Sequence, residues 1–108
     1  MEASEVRRLK QKRRLLLKRL GRSEEFLRGS VVLMKRRCVR PGCRKCGSGE
    51  RHPTWVLTVS RKGKTHTVYL GEKRVQAARR MVASYRRLRE WVEEIGRINL
   101  LLLKAGRL

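Results

Sequence analysis

Three features of the sequence predict an α+β fold, a small three-stranded antiparallel sheet with a helix at each chain end. Arg61-Lys62-Gly63-Lys64 stands between two β-branched, aromatic segments and supplies a glycine for positive φ, the pattern of a hairpin. From Glu72 onward no proline occurs, and Val75, Ala78, Val82, Tyr85, Leu88, Val92, Ile95 and Leu102 return at helical spacing. At the other end Val6, Leu9, Leu16 and Leu20 form one stripe in a basic segment, interrupted by Arg13.

Taken in order, the first helix is expected from Ser4 to Leu20, with Ser4 as N-cap, Gly21 as its stop, and Leu15 and Leu17 widening the stripe. Ser23-Glu24-Glu25 suggests a short second helical turn closed by Gly29. Val31–Met34 is too short for a helix and reads as a strand. Residues 38–53 hold three cysteines, Pro41, Pro53 and three glycines, which excludes regular structure there. Trp55–Val59 and Thr65–Leu70 are the hairpin strands; alternation puts Trp55, Leu57 and Val59 on one face and Val56, Thr58 and Ser60 on the other. The last helix is expected from Lys73 to about Lys104, its first half on the sheet and its second half against another helix. Glu90, Glu93 and Glu94 facing basic residues of the N-terminal helix would make that pairing antiparallel. The chain therefore reads as a basic helix (1–22), a short helix with the sheet and cysteine-rich loop (23–72), and a long helix (73–108), one module with helical arms.

The 108 residues include 30 Lys and Arg against 9 Asp and Glu, a formal net charge of +21. Such self-repulsion is usually matched by a polyanion. The longest apolar runs, Val31–Met34 and Leu100–Leu103, are far below the roughly 18–20 residues that cross a bilayer, so no membrane partner is expected. The first residues lack the apolar core of a secretory signal, and three cysteines do not make a complete disulfide framework. The expected compartment is the cytoplasm. Charge is least neutralised in residues 35–64, where ten basic groups meet only Glu50.

Cys38, Cys43, Cys46 and His52 fall within 15 residues of one another. Zinc favours such a tetrahedral thiolate and imidazole set, so the spacing predicts a closed, structural Zn²⁺ site resembling a zinc knuckle. Pro41-Gly42 turns the backbone, and Gly47-Ser48-Gly49 lets it return toward His52. His66 is the rival fourth ligand; three ordinary cysteines, or a redox pair of Cys43 and Cys46, are the other readings. A catalytic metal needs an open position and a general base, and Glu50 is the one local carboxylate.

Lys35, Arg36 and Arg37 lead into this loop, Arg40, Arg44, Lys45 and Arg51 lie in it, and Arg61, Lys62 and Lys64 form the hairpin tip beside Thr65. If loop and tip are neighbours, these ten cations make one patch suited to phosphates. Trp55 and Trp91 are expected to pack, while Tyr69 is open to either core or base stacking. Arg7-Arg8, Lys12-Arg13-Arg14 and Lys18-Arg19 form a further basic helix face, suited to a phosphate backbone or an anionic membrane surface.

Leu27-Arg28-Gly29-Ser30, the cysteine loop ending in His52-Pro53, Gly63-Lys64 with Tyr69, and the Tyr85, Leu88 and Ile95 helix resemble a family of small basic prokaryotic proteins of unknown function. That resemblance spans about residues 27–103 and implies no activity. Trp55 through Ala78 is also similar to the arm-binding domain of tyrosine recombinases and the plant AP2 domain. This second resemblance implies a sheet that reads the DNA major groove, with Arg61, Lys62, Lys64 and Thr65 near phosphates or base edges. The expectation is a non-enzymatic nucleic-acid-binding protein, DNA or RNA, in a homodimer or a larger nucleoprotein or mobile-element complex built through its long helices. The alternative is a helical assembly or adaptor protein that binds an acidic protein partner.

Overall fold

The computed structural model describes residues 1–36 and 52–108. In chain order they form α1 (Ala3–Arg22), β1 (Ser30–Arg36), β2 (His52–Arg61), β3 (Lys64–Tyr69) and α2 (Gly71–Lys104). The strands make an antiparallel sheet in the order β1-β2-β3, so the α+β class holds. The cysteine-rich segment falls outside the described residues, and the zinc-knuckle reading with it.

Several expected boundaries shift. Glu2, not Ser4, is the N-cap of α1, with extended backbone and no side-chain cap bond. The helix runs through Gly21 to Arg22, and the Ser23 amide and hydroxyl close its last turn on the carbonyls of Leu20 and Arg19 at 3.1 and 3.0 Å. No helical turn forms at Ser23-Glu24-Glu25. The chain leaves that segment extended, and the Leu27 amide donates to the Met81 carbonyl at 3.0 Å. β2 extends on both sides of Trp55–Val59, because Thr54 and Pro53 still find partners in Met34 and Lys35.

By contacts the chain divides into two units, Leu27–Val82 and Met1–Phe26 with Ala83–Leu108; the uninterrupted α2 contributes to both. In the sheet unit, the alternating residues Trp55, Leu57 and Val59 face α2. Leu57, Leu70, Val75, Ala78 and Val82 are buried there, with Leu27, Val31, Trp55 and Val59 packed around them. Trp55 is thus a packing residue, as expected, and the Arg79 guanidinium lies 4.9 Å from its ring centroid. Val56, on the other face, is fully buried, and its cross-strand partners are Val32 and Tyr69. Gly29 admits no side chain: a Cβ there would stand 2.8 Å from the Thr58 carbonyl oxygen. The ladder runs one residue past β3, where the Leu70 amide donates to the Trp55 carbonyl at 3.0 Å, and Gly71 then turns the chain into α2 at φ 65°.

The second unit is a helix pair. Its buried core is Leu16, Ile98 and Leu102, with Val6, Leu9, Trp91 and Ile95 packed against them. Trp91 is therefore a packing residue, while Leu15 and Leu17 are exposed and add nothing to the stripe. Phe26 stacks on Tyr85 with ring centroids 6.3 Å apart, and Arg13 Nη1 donates to Asn99 Oδ1 at 2.7 Å. From the Phe26–Tyr85 contact just past α1 to the Arg13–Asn99 contact within it, one segment steps back while α2 steps forward, which makes the pair antiparallel, as the acidic residues of α2 suggested. One of those three, Glu94, makes the expected bond: Lys12 Nζ donates to its Oε1 at 2.9 Å. Glu93 instead meets Arg89 of its own helix at 3.6 Å. Arg97 grips Glu94 with two donors, at 2.7 and 3.0 Å. Hydrogen bonds from Arg97 first and Lys12 second hold the Glu94 carboxyl at about 2, against an ordinary 4.5. α2 ends where the Arg107 and Gly106 amides return to the carbonyls of Leu102 and Leu103, with Gly106 at φ 65°.

Candidate nucleic-acid interface

The hairpin tip gathers four of the expected contact residues. The ladder pairs Arg61 with Lys64 and Ser60 with Thr65, leaving Lys62-Gly63 as a two-residue loop. Both loop residues have positive φ, 51° at Lys62 and 76° at Gly63. That is the turn whose twist matches antiparallel strands, and it suits Asn or Gly far better than Lys at its first position. Arg61, Lys62, Lys64 and Thr65 are all exposed. Three cations therefore stand together at a tight turn, and the sequence from His52 to Leu70 holds no acidic residue.

The sheet surface leading to that tip is rich in hydroxyls. Thr58 pairs with Thr67 next to the Ser60–Thr65 pair, and these four share the face that points away from the buried core. Thr58 Oγ1 donates to the Ser30 carbonyl at 3.5 Å. Tyr69 is on the same face, half-exposed, and does not enter the core. The sequence marks Thr65 beside the tip; Thr58, Ser60 and Thr67 are legible as its neighbours from the same alternation. Arg28, also unmarked, is exposed and precedes Ser30, which enters the sheet opposite Thr58 near the tip.

Of the ten cations expected in one patch, the five in the described residues fall into two groups. Lys35 is exposed and pairs with Pro53, and Arg36 pairs with His52, at the end of β2 opposite to Arg61. At roughly 3.3 Å per residue, Pro53 and Arg61 are about 26 Å apart. The reason is topological. Adjacent antiparallel strands are neighbours, but the connections before and after one strand leave from its opposite ends. Arg37, Arg40, Arg44, Lys45 and Arg51 lie outside the described residues, as do Cys38, Cys43 and Cys46.

His66, the rival ligand, is exposed and pairs with Val59 toward the tip. Among the described residues no group of three His, Cys, Asp or Glu is close enough to hold a metal. No described helix is long and apolar enough to cross a membrane.

This arrangement has a family. The model of a domain of unknown function, DUF6788, matches residues 6–80, from the first core residue of α1 through the three strands and into α2. The chain belongs to that family. The DUF6788 match begins earlier and ends earlier than the span 27–103 suggested by the sequence resemblance, so α1 is part of the shared domain while the C-terminal part of α2 lies beyond it. No curated protein and no solved structure matches the chain.

Proposed function

We propose that this DUF6788 protein is a non-enzymatic nucleic-acid-binding protein whose hairpin grips the phosphate backbone of DNA or RNA. The observation that carries the reading is the tip itself, where Arg61, Lys62 and Lys64 project from a tight turn beside the hydroxyls of Ser60 and Thr65. Arginine offers a planar fork for phosphate and lysine a point charge, while hydroxyls donate to phosphate oxygens or base edges. The likeness to recombinase arm-binding and AP2 domains gains support from the strand order and the helix behind the sheet.

Zn²⁺ held by Cys38, Cys43, Cys46 and His52 is the second half of this reading. It would fasten the segment that carries Arg37, Arg40, Arg44, Lys45 and Arg51. Pairing of Arg36 with His52 supports His52 over His66 as fourth ligand, because the ladder closes both ends of the segment there. His66 pairs with Val59, about 23 Å along β2 at roughly 3.3 Å per residue.

Affinity for a labelled duplex, measured against potassium chloride concentration, tests the reading. Log affinity should fall with log salt by about 0.9 per phosphate neutralised, with six or more contacts. Replacing Arg61, Lys62 and Lys64 by Gln should reduce the slope by about 2 to 3 on that scale. Metal-replete protein that ignores duplex and single-stranded DNA and RNA in dilute buffer overturns it. Cys43→Ser with Cys46→Ser should release zinc in metal analysis of the purified variant.

A second reading, helical assembly through α2, draws on the exposed apolar row of Val92, Leu100 and Leu103. Truncation after Arg89 would remove the buried Ile98 and Leu102, so Leu100→Glu with Leu103→Glu is the cleaner test. Loss of a sedimenting oligomer with polynucleotide affinity retained would support it.

A further inference from the structure

We propose that the solvent face of α1 is a second nucleic-acid backbone-binding surface, in the helix pair and separate from the hairpin. The proposal rests on the nucleic-acid reading above but not on the hairpin residues.

Apart from Lys10, the structure sorts the basic residues of α1 into two groups. Lys12 and Arg13 are committed to α2, through Glu94 and Asn99. Arg7, Arg14, Lys18 and Arg22 recur at intervals of seven and four on the outer side of the helix, with Arg8 and Arg19 beside them. All six are exposed, and none is in an ion pair among the described residues. The acidic residues at this end, Glu2 and Glu5, stand at the N-cap and in the first turn. Like charges three and four residues apart destabilise a helix, so this row is a standing cost that an anionic partner would remove.

The chemistry of the face selects the partner. A helix that lies on a membrane buries an apolar face in it. The apolar face of α1 is already occupied, with Leu16 buried and Val6 and Leu9 packed against α2. A protein partner is usually anchored by apolar or aromatic residues at the centre of the contact, and α1 exposes only Leu15 and Leu17 among its leucines and valines. What remains is an extended row of cations, five of the six being arginine. From Arg7 to Arg22 the row extends about 22 Å at 1.5 Å per residue, the rise of roughly six base pairs.

The test compares two variants of the full chain, Arg14→Gln/Lys18→Gln/Arg22→Gln in α1 and Arg61→Gln/Lys62→Gln/Lys64→Gln in the hairpin. Gln, Arg and Lys have similar helix propensities, and circular dichroism checks that α1 persists. The probes are a 30-bp DNA duplex, the matching RNA duplex, and vesicles of phosphatidylserine with phosphatidylcholine. The expected result is a salt slope lowered by about 2 to 3 in the α1 variant on at least one duplex, additional to the hairpin effect. An α1 variant that keeps the wild-type slope while the hairpin variant loses it overturns this proposal and leaves the hairpin reading standing. So does an α1 variant whose only loss is vesicle binding. A wild-type chain that binds neither duplex overturns this proposal, and one that also ignores single-stranded DNA and RNA overturns both.

Discussion

The sheet unit and the helix pair are held together in different ways. In the sheet unit, five buried residues from β2, α2 and the link between β3 and α2 form one core, and a three-stranded ladder satisfies the backbone. The helix pair has only Leu16, Ile98 and Leu102 fully inside. Its edges are polar, with Lys12–Glu94–Arg97 on one side of the core and Arg13–Asn99 on the other, and it leaves Leu15, Leu17, Val92, Leu100 and Leu103 exposed. A thin core makes specific polar contacts matter more for pairing, and makes the unit more vulnerable to a single truncation.

The largest effect is therefore expected from Leu102→Ala, which removes one of three buried side chains from the helix pair at a cost of about 2–5 kcal/mol. Hydrogen exchange should show amides of α1 opening while those of β2 and β3 stay protected. Equal loss of protection in both units would show that they unfold together and would break the comparison. Next comes Gly29→Ala, where the new Cβ must displace the Thr58 carbonyl it would meet at 2.8 Å. Overpacking of this kind costs about 1–3 kcal/mol and should weaken the β1–β2 ladder first, read by the same exchange experiment.

The smallest effect concerns acid. The folded Glu94 carboxyl titrates at about 2 and the unfolded one near 4.5, so its contribution is fully present above 4.5 and is lost as pH falls toward 2. Glu94→Gln should flatten the pH dependence of the helix pair's melting between those values. An unchanged profile would show that the Lys12 and Arg97 contacts do not stabilise the folded chain.

The legible parts of this molecule are those governed by local spacing. Gly63 marked the hairpin, the recurrence from Val75 to Leu102 marked α2, and the acids near Glu94 announced the antiparallel pair. The short turn at Ser23 failed because a tertiary bond, from Leu27 to Met81, decides how that segment runs. Leu15 and Leu17 failed because an apolar residue beside a stripe is not yet in it; α2 covers only one side of α1. The expected union of loop and tip cations failed for Lys35 and Arg36 on topology, which composition does not encode. The metal reading stays with the spacing of Cys38, Cys43, Cys46 and His52, since the cysteines lie outside the described residues.

Gly71 follows Leu70 directly, so the passage from strand to helix contains no slack. One residue inserted between Leu70 and Val75 would rotate everything beyond it by about 100°, swinging Val75, Ala78 and Val82 away from Leu57. Length changes tolerated at this junction should thus come in whole helical turns, a constraint that sequence variants of the domain, natural or engineered, must obey.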